Sequence, residues 1–163
     1  MIDLRDRVPP DTPETRLLRR DARALALEAP FDLVLTSPPY PATYDYLPMQ
    51  HLRRVWLGDD HRDQERELGA RRGWRAGNRQ ARARWERDTR EWTRAVARCL
   101  APGGHLVVVI GDGLTPAGEV DASAPTEAAA KAADLSAVAR ASLARPDHAR
   151  GSVRWEHVFA FRK

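Results

Sequence analysis

Residues 31–40 read FDLVLTSPPY, and the reading of this stretch decides the fold. Phe31 to Thr36 form a short, continuous apolar run bounded by turn formers, the pattern of a strand buried on both faces. Ser37, Pro38, Pro39 and Tyr40 follow directly. Proline fixes φ, lacks an amide hydrogen and pushes its predecessor towards extended geometry. Two in succession predict a stiff corner at the end of the strand. That corner offers a hydroxyl, a backbone carbonyl with no sheet partner, and an aromatic ring. Such a corner can accept hydrogen bonds from a planar amine while the Tyr40 ring lies flat against the amine's aromatic system. A conjugated exocyclic amine is a poor nucleophile. Acceptors on its N–H groups would draw it towards tetrahedral geometry and localise its lone pair, which calls for orientation and electrostatics rather than a strong base.

Outward from this corner, further elements alternate in type. "HLVVVIGD" (His105–Asp112) reads as a second buried strand, and "VFAF" within "RWEHVFAFRK" as a last one. "AVARASL" (Ala137–Leu143) alternates as a strand would, though its alanines suit a helix equally. Pro48 to Leu57 predicts a helix with Leu52, Val55 and Trp56 on one face and Gly58 as its stop. A longer helix spans Gln80 to Leu100, where Trp85, Trp92, Val96, Cys99 and Leu100 recur at helical spacing, and both tryptophans are expected in the core. "APGG" ends it and turns the chain into the next strand, and "PTEAAAKAA" (Pro125–Ala133) is a third helix. Residues 58–80 and 113–125 read as loops. This order predicts one α/β domain over residues 1–163, built on an open, mainly parallel sheet with an antiparallel last strand. Ligands of such sheets bind beyond the carboxyl ends of the strands, where TSPPY stands.

Composition narrows the function classes. Lys and Arg number 27 against 23 Asp and Glu, a mild basic excess that points weakly to a polyanionic partner. Arg62, Arg66, Arg71, Arg72, Arg75 and Arg79 crowd the 58–80 loop beside Trp74. They could meet phosphates, and with Glu65 and Glu67 interspersed they suit a solvated, ion-paired face equally. The single Cys99 excludes an internal disulfide framework and a Cys-based zinc cluster. The five histidines show no metal-ligand spacing, so no metal is expected; His51 and His157 are expected at the surface, and Asp112 as a plain strand-end loop residue. No apolar run reaches the length of a membrane span and no signal-peptide apolar region stands at the N-terminus, so the default location is cytoplasmic.

Ser37-Pro38-Pro39-Tyr40 matches in full the [Asp/Asn/Ser]-Pro-Pro-[Tyr/Phe/Trp] signature of the S-adenosylmethionine-dependent DNA amino-methyltransferases, and the chain resembles that family. The Thr-Ser-Pro-Pro-Tyr form is most similar to the cytosine-N4 enzymes. "TYDYLPMQHLRRVWLG" resembles the helix after the motif, "CLAPGGHLVVVIGDG" the entry to the fifth strand of a Rossmann-like class I methyltransferase sheet, and "WEHVFAFRK" its final strand. "TRLLRRDARAL" is similar to the third strand and "MIDLR" to the end of the second. The resemblance implies a base flipped from the duplex and stacked on Tyr40, with Ser37 and the Pro38 carbonyl on the target amine and Pro39 stiffening the loop. It further implies Asp21 near the cofactor adenine and Asp3 on its ribose hydroxyls. Tyr44 and Tyr46, close after the motif, could line the base pocket; they suit a plain helix entry as well.

One part of the family pattern is missing. The cofactor is held by a Gly-rich turn after the first strand, and no glycine precedes Gly58. Gly111-Asp112-Gly113 fits the end of the fifth strand better. The expectation is therefore a partial sheet, incomplete on its N-terminal side. Its strand 31–36 would show an unpaired apolar edge, for a second chain to cover.

Overall fold

The computed structural model describes residues 12, 14–28, 30–58, 67–75, 78–147 and 152–163. Its strands are β1 (Phe31–Thr36), β2 (Leu100–Gly111), β3 (Gly113–Thr115), β4 (Gly118–Val120), β5 (Ser136–Asp147) and β6 (Ser152–Arg162). Its helices are α1 (Tyr46–Met49), α2 (His51–Trp56), α3 (Asn78–Cys99) and α4 (Ser123–Lys131). The main sheet has four strands in the order β1-β2-β6-β5, and β3 and β4 make a separate hairpin. β1 lies parallel to β2, and β6 is antiparallel to both of its neighbours, so β1, β2 and β5 share one direction. A mixed α/β fold with one reversed strand is what the sequence pattern predicted. Only one of the three ladders is parallel.

Side-chain alternation on β2 and β6 divides the sheet into two unlike faces. Leu106, Val108 and Ile110 of β2 pair across to Phe161, Phe159 and His157 of β6, and all are buried. α3 closes over them with Trp85, Trp92, Ala95 and Val96, and α4 with Ala129 and Ala130. Phe159 and Phe161 stack with ring centroids 5.7 Å apart. Burying each such ring is worth about 1.5–3 kcal/mol, so this face carries the stability.

The opposite face is open. Leu33 and Leu35 of β1 are 58% and 70% exposed, and Leu143 of β5 and Val158 of β6 are exposed beside them. The expectation that Phe31–Thr36 is buried on both faces is therefore corrected: only Val34 and Thr36 turn inward, because among the described residues nothing lies over the other face. β1 has one neighbour, β2, and its second edge has no strand beside it among the described residues. The unpaired apolar edge is present.

Several other expectations change. Residues 15–25 form no strand; Leu17 is 93% exposed, and the segment holds only a short 3-10 turn at Ala22–Ala24. With no strand beside β1 to continue the ladder, an extended segment there has nothing to pair with. The helix expected over Pro48–Leu57 is split into α1 and α2, and its apolar side is exposed, Trp56 at 89%. Ala137–Leu143 is strand, part of β5, whose eleven registered pairs with β6 outweigh the helix propensity of its alanines. APGG lies inside β2, where a register shift between Phe31 and Leu33 accommodates it, and Gly103 takes φ +80°. The loop expected over 113–125 contains the β3–β4 hairpin and the start of α4. His157, expected at the surface, is buried.

Candidate active site

β1, β2 and β5 end on the same side of the sheet, and the Ser37–Tyr40 corner sits there beside Gly111 and the start of β6. Ser37 is exposed, while Pro38, Pro39 and Tyr40 are half-buried. Two glycines make room for the loop. A Cβ on Gly111 would lie 2.7 Å from Cε2 and 2.8 Å from Cδ2 of the Tyr40 ring, and one on Gly113 would overlap the Pro41 carbonyl oxygen. Past the corner, Pro41, Ala42 and Thr43 are buried, with Ala42 at φ +54° and its amide donating to the Gly69 carbonyl at 2.9 Å. The loop is thus seated on the sheet end and fastened to residues 67–75.

The corner's polar groups form one connected set. The Tyr40 hydroxyl donates to Glu156 Oε1 at 2.6 Å, and the Ser37 hydroxyl reaches the same phenol. Arg145 of β5 donates to Glu156 Oε1 at 3.2 Å and also bonds the Tyr44 side chain. The Tyr46 hydroxyl meets the Tyr40 backbone, and the Tyr44 and Tyr46 rings pack edge to face with centroids 5.4 Å apart. Burial, and then the bond to Glu156, push the Tyr40 phenol up to about 12, so it is neutral across the ordinary pH range. Ser37, Tyr40, Tyr44 and Tyr46, singled out separately in the sequence, are therefore brought together. Glu156 and Arg145 were not singled out. They lie more than a hundred residues after the motif, and only the antiparallel β5–β6 pairing brings them to it.

Glu67 and Arg72 hold the other side of the loop. Glu67 Oε1 accepts from the amides of Tyr46 and Leu47, and Arg72 bridges Glu67 Oε2 at 2.7 Å and Asp45 Oδ1 at 3.4 Å. Arg72, one of the loop arginines, thus works within the fold. A cleft of about 470 Å³ opens beside this point, lined by Arg19, Arg20, Asp21, Arg23, Pro39, Tyr46, Leu47, Glu67 and Leu68. Asp21 is on its wall, not at the end of a third strand. Its carboxylate accepts from the Arg23 amide at 3.0 Å and from the Arg23 guanidinium at 2.7 Å. Asp3 lies outside the described residues.

The described residues do not make a complete cradle for S-adenosylmethionine. Gly111 and Gly113, the glycines nearest a strand end, are filled by Tyr40 and Pro41. Asp112, Asp121 and His157 come within 4.8 Å of one another. Their own bonds account for them: Asp112 Oδ1 accepts from the Ala122 amide at 2.8 Å and faces His157 Nε2 at 3.3 Å, and Asp121 Oδ1 accepts from the amide and hydroxyl of Ser123. Asp112 is thus a tie between β2, β6 and the start of α4 rather than a bare loop residue. No helix among the described residues is long and apolar enough to cross a membrane.

No protein-family profile and no curated protein matches the chain. Its fold does match solved structures. A candidate DNA modification methylase from Thermus thermophilus, crystallised with S-adenosyl-L-methionine, aligns with TM-score 0.55 and 22% identity over 88% of this chain and 53% of its own. A second crystal structure of that methylase gives TM-score 0.51 and 22% identity over 88% and 52%. The N-methyltransferase NodS from Bradyrhizobium japonicum WM9 aligns at TM-score 0.42 and 17% identity over 88% and 57%. The chain spans about half the length of the methylase whose fold it shares.

Proposed function

We propose that this chain is the amine-binding part of a Rossmann-like, class I DNA amino-methyltransferase. It would take part in transfer of a methyl group from S-adenosylmethionine to the exocyclic amine of a base, cytosine N4. The observation that carries this reading is the Ser37–Tyr40 corner at the carboxyl ends of β1 and β2, with Tyr44 and Tyr46 drawn into its hydrogen-bonding set. Ser37 and the Pro38 carbonyl accept from the amine's hydrogens, Pro39 keeps the corner stiff, and Tyr40 stacks on the extruded base, with Tyr44 and Tyr46 lining its pocket. The sharing of a fold with a DNA modification methylase that binds S-adenosyl-L-methionine supports this assignment.

The cofactor lies between the cleft wall that carries Asp21 and a second chain laid along β1. That chain supplies the glycine-rich turn and covers Leu33 and Leu35. The protein recovered from its own host with whatever covers β1, given labelled S-adenosylmethionine and pools of DNA, RNA and protein, is expected to yield N4-methylcytosine in DNA. Ser37→Ala and Tyr40→Ala should abolish the product. Label in RNA or protein alone, or product indifferent to both substitutions, would falsify the reading.

The filled glycines favour one alternative, a non-catalytic subunit that binds nucleic acid without its own cofactor site. Calorimetric titration of that recovered protein with S-adenosylmethionine separates the two. Saturable heat supports the enzyme, and none supports the subunit.

A further inference from the structure

The last two strands deliver two charged side chains to the corner that the sequence motif does not include. Glu156 faces Gly111 across the β2–β6 ladder, one residue before the buried His157, and its Oε1 receives both the Tyr40 hydroxyl at 2.6 Å and Arg145 Nη1 at 3.2 Å. Arg145 stands on β5, two residues from Leu143, which pairs with Glu156, so the sheet fixes where both side chains start. Gly111 supports the ring from beneath, and the polar set extends to Ser37 at one end and Tyr44 at the other.

We infer that Glu156, braced by Arg145, is a positioning residue that fixes the ring plane of Tyr40 and the rotamer of the Ser37 hydroxyl for the incoming base. The inference rests on the amine-site reading above. A phenol held only by packing can turn about its side-chain torsions. A charge-assisted bond to a carboxylate on a rigid strand removes that freedom before the ligand arrives, which is where preorganisation gains affinity. Arg145, 3.2 Å from the same Oε1, stops the carboxylate swinging into solvent, and its second bond to Tyr44 couples the two sides of the pocket.

Ring-labelled tyrosine NMR of the full chain tests this with a single-stranded oligodeoxycytidine as the probe. In the wild-type chain the probe should move the Tyr40 ring signals upfield in a saturable way. Glu156→Gln, which keeps the shape and loses the charge, should weaken that binding about tenfold. It should also bring the Tyr40 ionisation midpoint down from about 12 towards that of an ordinary phenol, with the thermal unfolding transition retained. Arg145→Gln, which leaves the Tyr40–Glu156 bond in place, should weaken binding less and should not lower the Tyr40 midpoint, because the guanidinium itself favours the phenolate, and it guards against misfolding of the first variant. Glu156→Gln binding the probe as tightly as wild type, or an unmoved Tyr40 midpoint, overturns the positioning role. Failure of the wild-type ring signals to respond to any oligonucleotide sinks the amine-site reading instead, so the two failures are told apart.

Discussion

Gly111 and Tyr40 are in contact in a way only glycine permits: a Cβ on Gly111 would stand 2.7 Å from Cε2 of the ring. The end of β2 has therefore been kept bare so that the motif tyrosine can lie on it. Gly111→Ala is expected to push the ring off the sheet end and stretch the Tyr40–Glu156 bond. The cost of forcing a methyl group into a filled space is about 1–3 kcal/mol, and a urea unfolding curve would show it as a lower midpoint at unchanged slope. Gly113→Ala meets backbone, the Pro41 carbonyl, which cannot swing aside, and should be the more damaging of the two. Equal stability of the Gly111 variant and wild type would mean that the ring does not rest there.

Stability at high pH should carry the signature of Tyr40. Burial and the Glu156 bond raise its folded-state value to about 12 from an ordinary 10.0. Between those values the folded chain keeps a proton that the unfolded chain has lost, so rising pH favours unfolding. The contribution is fully present below about pH 10 and fades as pH climbs towards 12. Two units correspond to at most about 2–3 kcal/mol, and to less where solvent reaches the half-buried ring. Unfolding measured from pH 9 to 12 should show a steeper fall for wild type than for Tyr40→Phe, which has no phenol proton to lose. Parallel curves would refute the raised value.

The legible parts of the chain were those whose signal is local. FDLVL and HLVVVIGD are β-branched and continuous, and they became β1 and β2. The tryptophans at positions 85 and 92 recur at helical spacing and pack inside. β5 was ambiguous because AVARASL satisfies both periods, and only its partner β6 decides between them. Glu156, Arg145 and Glu67 could not be read at all as site residues. Each is an ordinary charged residue in its own neighbourhood, and it acquires a role through pairing or loop closure across a long stretch of chain. Leu52, Val55 and Trp56 misled for the opposite reason. Their shared face predicts burial, yet it looks outward here, and periodicity says that a face is apolar without saying what meets it.

Arg23 and Asp88 fasten the segment before β1 to α3. The Arg23 guanidinium lies 3.4 Å from Asp88 Oδ1 while also gripping Asp21, and Asp88 is almost fully buried. Removing one partner of a buried pair leaves a charge without compensation, which is costlier than losing a surface pair. Arg84 and Arg87 approach the same carboxylate at 4.0 and 3.5 Å and soften the loss. Arg23→Ala should therefore cost about 1–3 kcal/mol and loosen residues 21–25 from α3. Hydrogen exchange would register the latter as faster exchange at Ala24, whose amide donates to the Asp21 carbonyl. Unchanged exchange there would show that Leu25 packing alone holds the segment.

The edge of β1 that has no strand beside it among the described residues, and the open face next to it, make a joint demand on whatever covers them. A second copy of the chain adding β1 to β1 would satisfy the edge amides and carbonyls, yet Leu33 and Leu35 would still project from the enlarged sheet into water. Two copies stacked face to face would bury those leucines and leave the edges unpaired. A strand with an attached helix meets both needs at once, which neither arrangement of twins does, and this is the cover that the proposed function assigns to β1. Without it, the isolated chain should self-associate weakly through these surfaces, and sedimentation velocity should show a weight average that rises with concentration. The double variant Leu33→Lys, Leu35→Lys should return it to a monomer. Both side chains already lie largely in solvent, so each change should shift folding stability by no more than about 0.5 kcal/mol. In host extracts the same variant should lose both the copurifying chain and S-adenosylmethionine binding together. Collapse of the double variant's fold would mean that this face is interior to the chain, and a wild type that stays monomeric and binds no hydrophobic dye would mean that it needs no cover.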